Sequence, residues 1–142
     1  MLNKSVLVLP MALLALAAEG RADAIPVEPG LWEMTSTISM PMMPQPQVST
    51  VSECIEKGEF SMEDIATDDM DPNCVFETSQ VDGATMSWSF ECPVEGGNSR
   101  GDWTATSHGD RVEGGGKLTM NIQGQTMVMT MSWVGKRIGD CP

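Results

Sequence analysis

Ala84-Thr85-Met86-Ser87-Trp88-Ser89-Phe90-Glu91-Cys92 decides the fold. Met86, Trp88, Phe90 and Cys92 share one parity, and Thr85, Ser87, Ser89 and Glu91 share the other. A period of two in polarity is a strand with one dry and one wet face. Just upstream, Asp82-Gly83 separates this stretch from Phe76–Val81. Asp-Gly between alternating segments is a two-residue hairpin signal.

The same alternation runs outward in both directions. Trp32, Met34, Ile38 and Met40 share a face opposite Glu33, Thr35, Thr37 and Ser39. Downstream, Val112, Leu118, Met120 and Ile122 share a face. Met127, Met129, Met131 and Trp133 share another, opposed by Thr130 and Ser132. Turn chemistry divides these runs at Gly96-Gly97-Asn98-Ser99, at His108-Gly109-Asp110 and at Gly124. Gly114-Gly115-Gly116 falls inside a strand pattern and suggests a bulge or sharp bend. Pro41-Met42-Met43-Pro44-Gln45-Pro46 cannot donate to a ladder at its prolines and reads as a loop or extended edge. Ser61 is placed to cap a short helix that continues through Met62-Glu63-Asp64. The expected fold is all-β. It is a single curved antiparallel meander of about seven strands, a half-barrel or flattened barrel, with one short helix and two disulfides.

The first 24 residues read as a leader. Lys4 supplies a positive start, Val6–Ala18 is an apolar run of 13 residues, and Ala22-Asp23-Ala24 is a small-x-small cleavage site. A membrane span needs about 20 apolar residues, and this run contains Pro10 and stops at Glu19. The expectation is a cleaved signal peptide over residues 1–24. A single disulfide-stapled β domain over residues 25–142 would follow, periplasmic or secreted, with no membrane insertion after cleavage. The net charge of −12 repels nucleic acid and anionic headgroups, so neither is an expected partner. The plainest role of that acid is solubility.

Cys54, Cys74, Cys92 and Cys141 are an even set behind a leader, which reads as two disulfides. Zinc sites favour Cys-x-x-Cys spacing and His partners, and neither is present. Four cysteines allow three pairings. The expected one is Cys54–Cys74, closing the long excursion out of the strand pattern, with Cys92–Cys141 tying down the C-terminus.

The motifs in order resemble a known family. The chain opens Pro29-Gly30-Leu31-Trp32-Glu33-Met34-Thr35, continues with Met40-Pro41-Met42-Met43-Pro44, Cys54, Asn73-Cys74, and Trp88 with Cys92. It ends in Gly135-Lys136-Arg137-Ile138-Gly139-Asp140-Cys141. It is similar to the bacterial exported family known as domain of unknown function 3617, with its Gly-Leu-Trp-Glu start and Gly-Asp-Cys end. The resemblance implies an exported β-rich domain. It implies no activity and transfers no catalytic or ligand residue.

Catalytic chemistry has little material. The one histidine, His108, sits in a turn, where a base held within a cleft is not expected. There is no tyrosine, no phosphate loop before a helix and no His-Glu-x-x-His. The expectation is a non-enzyme without a cofactor. Glu63, Asp64, Asp68, Asp69 and Asp71 could attract Ca²⁺, but they lack the glycine and distal Glu of an EF-hand, so a solvated helix end is the first reading.

Methionine and tryptophan carry the remaining signal. Met127, Met129 and Met131 place three thioethers on one strand face. Soft sulfur suits Cu(I), while Met also fills core gaps without strain, and core is the first reading. Met residues in the Pro loop suit an adaptable contact surface. The four tryptophans, Trp32, Trp88, Trp103 and Trp133, fall on or near apolar strand faces. They would fill a compact core or, if the sheet curls without closing, line a cleft. The expected function is a binding module for an apolar small molecule or a periplasmic protein partner, with a pocket lined by Trp32, Trp88, Met129 and Trp133. The alternatives are a copper- or metal-handling protein using Met127, Met129 and Met131, and an envelope structural or interaction protein using the Met/Pro loop.

Overall fold

A computed structural model describes residues 23–65 and 70–142. The expected leader up to Ala22 and the candidate calcium ligands Asp68 and Asp69 lie outside the described residues. The strands are β1 (Ala24–Pro26), β2 (Gly30–Ser39), β3 (Gln47–Ile55), β4 (Glu59–Ser61), β5 (Val75–Asp82), β6 (Thr85–Val94), β7 (Gly97–Ser107), β8 (Arg111–Ile122) and β9 (Gln125–Gly139). One short helix, α1 (Met62–Ile65), follows β4.

The turns follow from the residues that occupy them. Asp82 and Thr85 are partners across β5 and β6, leaving Gly83 and Ala84 as a two-residue loop with Gly83 at φ 58°. Ile122 and Gln125 are partners across β8 and β9, and both loop residues, Gln123 at 51° and Gly124 at 78°, have positive φ. Such loops match the right-handed twist of the strands they join.

Seven strands form one antiparallel sheet in the order β3-β2-β9-β8-β7-β6-β5. β5 to β9 are the expected run of hairpins. The β2–β3 hairpin does not precede β5 in the sheet; β2 pairs instead with β9, so the N- and C-terminal ends of the domain are neighbours. β3 and β5 are the two edges and do not pair, so the barrel stays open. The outer face is polar, with hydroxyl pairs across strands: Thr35 with Thr50 at 3.1 Å, Thr85 with Thr106 at 2.9 Å and Ser87 with Thr104 at 3.2 Å.

β1, β4 and α1 form a small flap over one end of the inner face. β1 pairs with β4, and Ile25 of β1 is fully buried against Met86, Trp88 and Ala105. Phe60, Met62 and Ile65 pack beside it. The flap is moored where the Ser107 hydroxyl donates to the Pro26 carbonyl and Glu28 N–H donates to Gly109 O at 2.9 Å. The expected cleavage boundary between Ala24 and Ile25 therefore falls within β1. Asp64 holds the start of α1: its carboxylate accepts from the Ser61 N–H at 2.9 Å, the Ser61 hydroxyl at 3.0 Å and Lys57 Nζ at 2.7 Å. The Lys57 hydrogen bond, then the Ser61 N–H, keeps the Asp64 carboxyl below the usual aspartate range.

The disulfides differ from the expected pairing. They join Cys54 to Cys141 and Cys74 to Cys92, with Cα separations of 5.5 and 4.1 Å. The sheet order explains both. Val75 faces Glu91 across the β5–β6 hairpin, which brings the next residues out, Cys74 and Cys92, opposite one another. Leu31 is flanked by Cys54 on β3 and Gly139 on β9, so Cys141 need only cross the start of β2 to reach Cys54. The triple glycine is also corrected: Gly114, Gly115 and Gly116 keep continuous register with β7 and β9, with no bulge. Gly97, Asn98 and Ser99, expected in a loop, belong to β7.

Candidate functional site

The inner face of the sheet gathers the indoles. Trp88 and Trp103 are direct partners on β6 and β7. Trp133 lies on β9, two strands from Trp103, because β8 runs between them. It nevertheless reaches Trp103 with ring centroids 5.8 Å apart and Trp88 at 6.4 Å. The intervening β8 residues explain this. Gly114 faces Trp133 and Gly116 faces Trp103, and a Cβ at either would intrude on those rings. With no side chain on β8 here, aromatic groups from β7 and β9 meet across it. Tilted aromatic contacts at such separations add to the stabilisation from area alone.

Trp32 lies at the start of β2, fully buried, and its Nε1–H donates to Glu28 O at 2.8 Å. Gly30 just before it has φ 151°, and a Cβ there would collide with the Arg137 guanidinium. Arg137 in turn donates through Nε to Pro29 O at 2.8 Å and through a terminal nitrogen to Asp140 at 2.6 Å. The Gly-Leu-Trp-Glu start and the Gly-Asp-Cys end are thus one structural spot, joined by β2–β9 pairing, by Arg137 and by Cys54–Cys141.

The flap covers this end without filling it. A cavity of about 200 Å³ remains, lined by Trp32, Trp88, Trp133, Met34, Val27, Ile55, Phe60, Ala105, Val112 and one acidic residue, Glu53. A wider charged groove shares Glu53, Ile55 and Phe60 with it and adds Glu56, Lys57, Glu59 and Asp64. The bordering groove is therefore mainly acidic and the cavity itself mainly apolar. Among the described residues, Trp103 Nε1 has no hydrogen-bond partner; it is buried beside Gly101 and the Phe90 ring. An unpaired N–H of this kind costs roughly 1–3 kcal/mol.

Three of the four residues expected in one pocket, Trp32, Trp88 and Trp133, do line it. Met129 does not: it lies four residues along β9 from Trp133, about 13 Å away at strand spacing. It belongs to the uncovered end of the same face. There a second cavity, of about 320 Å³, is lined by Met120, Met127 and Met129 with Met40 and Met42 from the Pro loop. Met131 lies between the two, opposite Gly116 and Ile38. Sequence reading separated the loop methionines from the strand methionines, because nothing in either stretch tells that β2 ends beside β9.

His108 is exposed at the β7–β8 turn, 3.3 Å from Glu113. Of the acidic cluster, Asp64 is committed to Ser61 and Lys57, and Asp71 accepts the Asn73 backbone and side-chain N–H groups at 2.8 and 3.0 Å. Among the described residues no group of three or more His, Cys, Asp or Glu is placed to hold a metal ion. Among them, too, no helix is long and apolar enough to cross a membrane.

An open, single-layer antiparallel sheet, doubly stapled and half covered by its own flap, defines a small all-β domain with an indole-lined cavity. The chain belongs to the family described as Protein of unknown function (DUF3617), whose pattern matches residues 27–141. No curated protein and no solved structure matches it. The two disulfides are consistent with an extracellular or periplasmic location.

Proposed function

We propose that this domain is an exported, non-enzymatic binding module for a small apolar molecule that is neutral or carries an amine. The carrying observation is the cavity of about 200 Å³ behind the flap, lined by three indoles and by Glu53. A dry cavity of about 150 Å³ holds benzene, so this one suits one or two fused rings or a short branched chain. Glu53 and the acidic groove beside it oppose a carboxylate ligand and favour an ammonium, which the indole faces also attract.

The test uses three naphthalene derivatives of similar size: methylnaphthalene, naphthylmethylamine and naphthoate. Their binding is followed by tryptophan fluorescence and calorimetry. The amine and the hydrocarbon are expected to bind and the acid to bind more weakly, with the difference narrowing in Glu53→Gln. Ala105, at 2% exposure, lines the cavity, so Ala105→Leu should fill it and abolish uptake while the protein stays folded. Binding unaffected by Ala105→Leu would remove the cavity as the site.

A second reading, contact with another protein of the envelope, is supported by the unpaired edge of β3. Val48 and Val51 there are 65% and 60% exposed, an open template for an added strand. Proline at Val51 that left co-purifying proteins unchanged would count against it.

A further inference from the structure

We propose that the uncovered end of the inner face binds one soft monovalent cation, Cu(I), through the thioethers of Met40, Met42, Met120, Met127 and Met129. The site is distinct from the indole cavity and does not depend on it. Met120 and Met127 are direct partners on β8 and β9. Met129 is two residues along on the same side, about 7 Å at strand spacing. The loop completes the set. Met43 N–H donates to Met40 O at 3.1 Å, a turn with Pro41 at its corner, where the fixed proline φ favours it. Because β2 and β9 are paired up to Ser39 and Thr130, that turn falls beside Met129. The result is a cavity of about 320 Å³ in which five of the lining side chains are methionines.

Core filling accounts for Met86, which is fully buried, but not for Met40, Met42 and Met127. Met40 is 38% exposed, Met127 43% and Met42 87%. Long, unbranched arms that reach water and converge on one hollow can close around an ion that enters from solvent. Thioether sulfur is neutral and soft, so it selects Cu(I) or Ag(I) over Ca²⁺, Mg²⁺ or Zn²⁺. The one hydroxyl in the lining, Thr126, donates to Asn121 at 2.7 Å, and thiolate and imidazole donors are elsewhere. All four cysteines are in disulfides. His108 lies level with Arg111 at the start of β8 while Met120 is near its end, about 30 Å along the strand. The net charge of −12 draws cations toward the surface without supplying ligands here. Binding adds sulfur lone pairs to the metal, releases no proton and changes no oxidation state.

The test is anaerobic titration of the purified domain with Cu(I) buffered by a chromophoric chelator, with Ag(I) and native mass spectrometry as a redox-inert check. One equivalent is expected. Met→Leu is close to volume-conserving, so a variant with all five residues as Leu should fold. It should bind weaker by more than the roughly tenfold that even outer-shell changes cost. Met131→Leu, outside both cavities, should bind Cu(I) as the parent does. X-ray absorption on the unaltered protein decides without any variant: sulfur-only coordination is expected, and nitrogen or oxygen ligands would overturn the site. Thioethers carry no titratable proton, so affinity should hold from about pH 7 down to about pH 4, where carboxylate and imidazole ligands protonate. No binding, binding unchanged in the five-residue variant, or affinity lost on acidification would each defeat the proposal.

Discussion

Gly114 shows how much one missing side chain can carry. A glycine in a strand interior normally gains from replacement by Ala, about 0.4–1 kcal/mol, through the unfolded chain. Here a Cβ would meet the Trp133 ring and lie 2.6 Å from the Thr104 carbonyl oxygen. Overpacking of that kind costs about 1–3 kcal/mol, so the sign reverses. Gly114→Ala should lower the urea midpoint and shift the tryptophan emission, whereas Gly124, with nothing within 4 Å, should show only its backbone strain. The sequence marks these glycines as unusual and suggests a bulge or a sharp bend; the register excludes the bulge. A run of glycine describes its own strand; it says nothing of rings arriving from β7 and β9. Parity, by contrast, was legible, and it placed Trp32, Trp88 and Trp133 on one face.

At the scale of elements, the flap is the weak partner. β1 and β4 have three residues each, too short to alternate visibly, and burial of Ile25, Phe60, Met62 and Ile65 with a few hydrogen bonds to the β7–β8 turn holds them. Asp64 therefore matters beyond its own bonds. Its folded pKa lies below the unfolded value, so its contribution is full above the ordinary aspartate range and is lost as pH falls through the folded value. Acid should loosen the flap before the sheet, seen as early exchange of the Ser61 amide. Asp64→Asn should remove that acid limb and lower stability at neutral pH. The hairpins needed no such help: Asp82-Gly83 and Gly124 announced their turns, and Ser61 its cap. Cys74 and Cys92 also stand equidistant from Gly83, and that symmetry about the hairpin turn is the signal of their pairing. The four-residue helix and the short strands left the long Cys54–Cys74 excursion looking like a loop that wanted closing.

For the whole molecule, the decisive fact is the β2–β9 pairing. No local pattern encodes it, since it joins residues about a hundred positions apart. It converts the two terminal motifs into one cluster and makes Cys54–Cys141 the long staple, with a sequence separation of 87 against 18 for Cys74–Cys92. In the chain-entropy model these are worth about 4.5 and about 3 kcal/mol. Replacing Cys54 and Cys141 by Ser should thus destabilise more than replacing Cys74 and Cys92, measured by chemical unfolding. Equal losses would show that strand pairing alone fixes the termini.

That long bond makes everything from Cys54 to Cys141 a covalent ring. A protease that nicks the chain once at the His108-Gly109 or Gln123-Gly124 turn opens the ring but separates nothing; without reductant the cut molecule should migrate as one species. A nick between Pro41 and Pro46 lies outside the ring and leaves the N-terminal piece carrying Trp32 held only by non-covalent pairing, so it should separate once the protein is denatured. Cuts at the turns inside the ring are therefore survivable, whereas a cut in the Met/Pro loop leaves its two pieces with no covalent link.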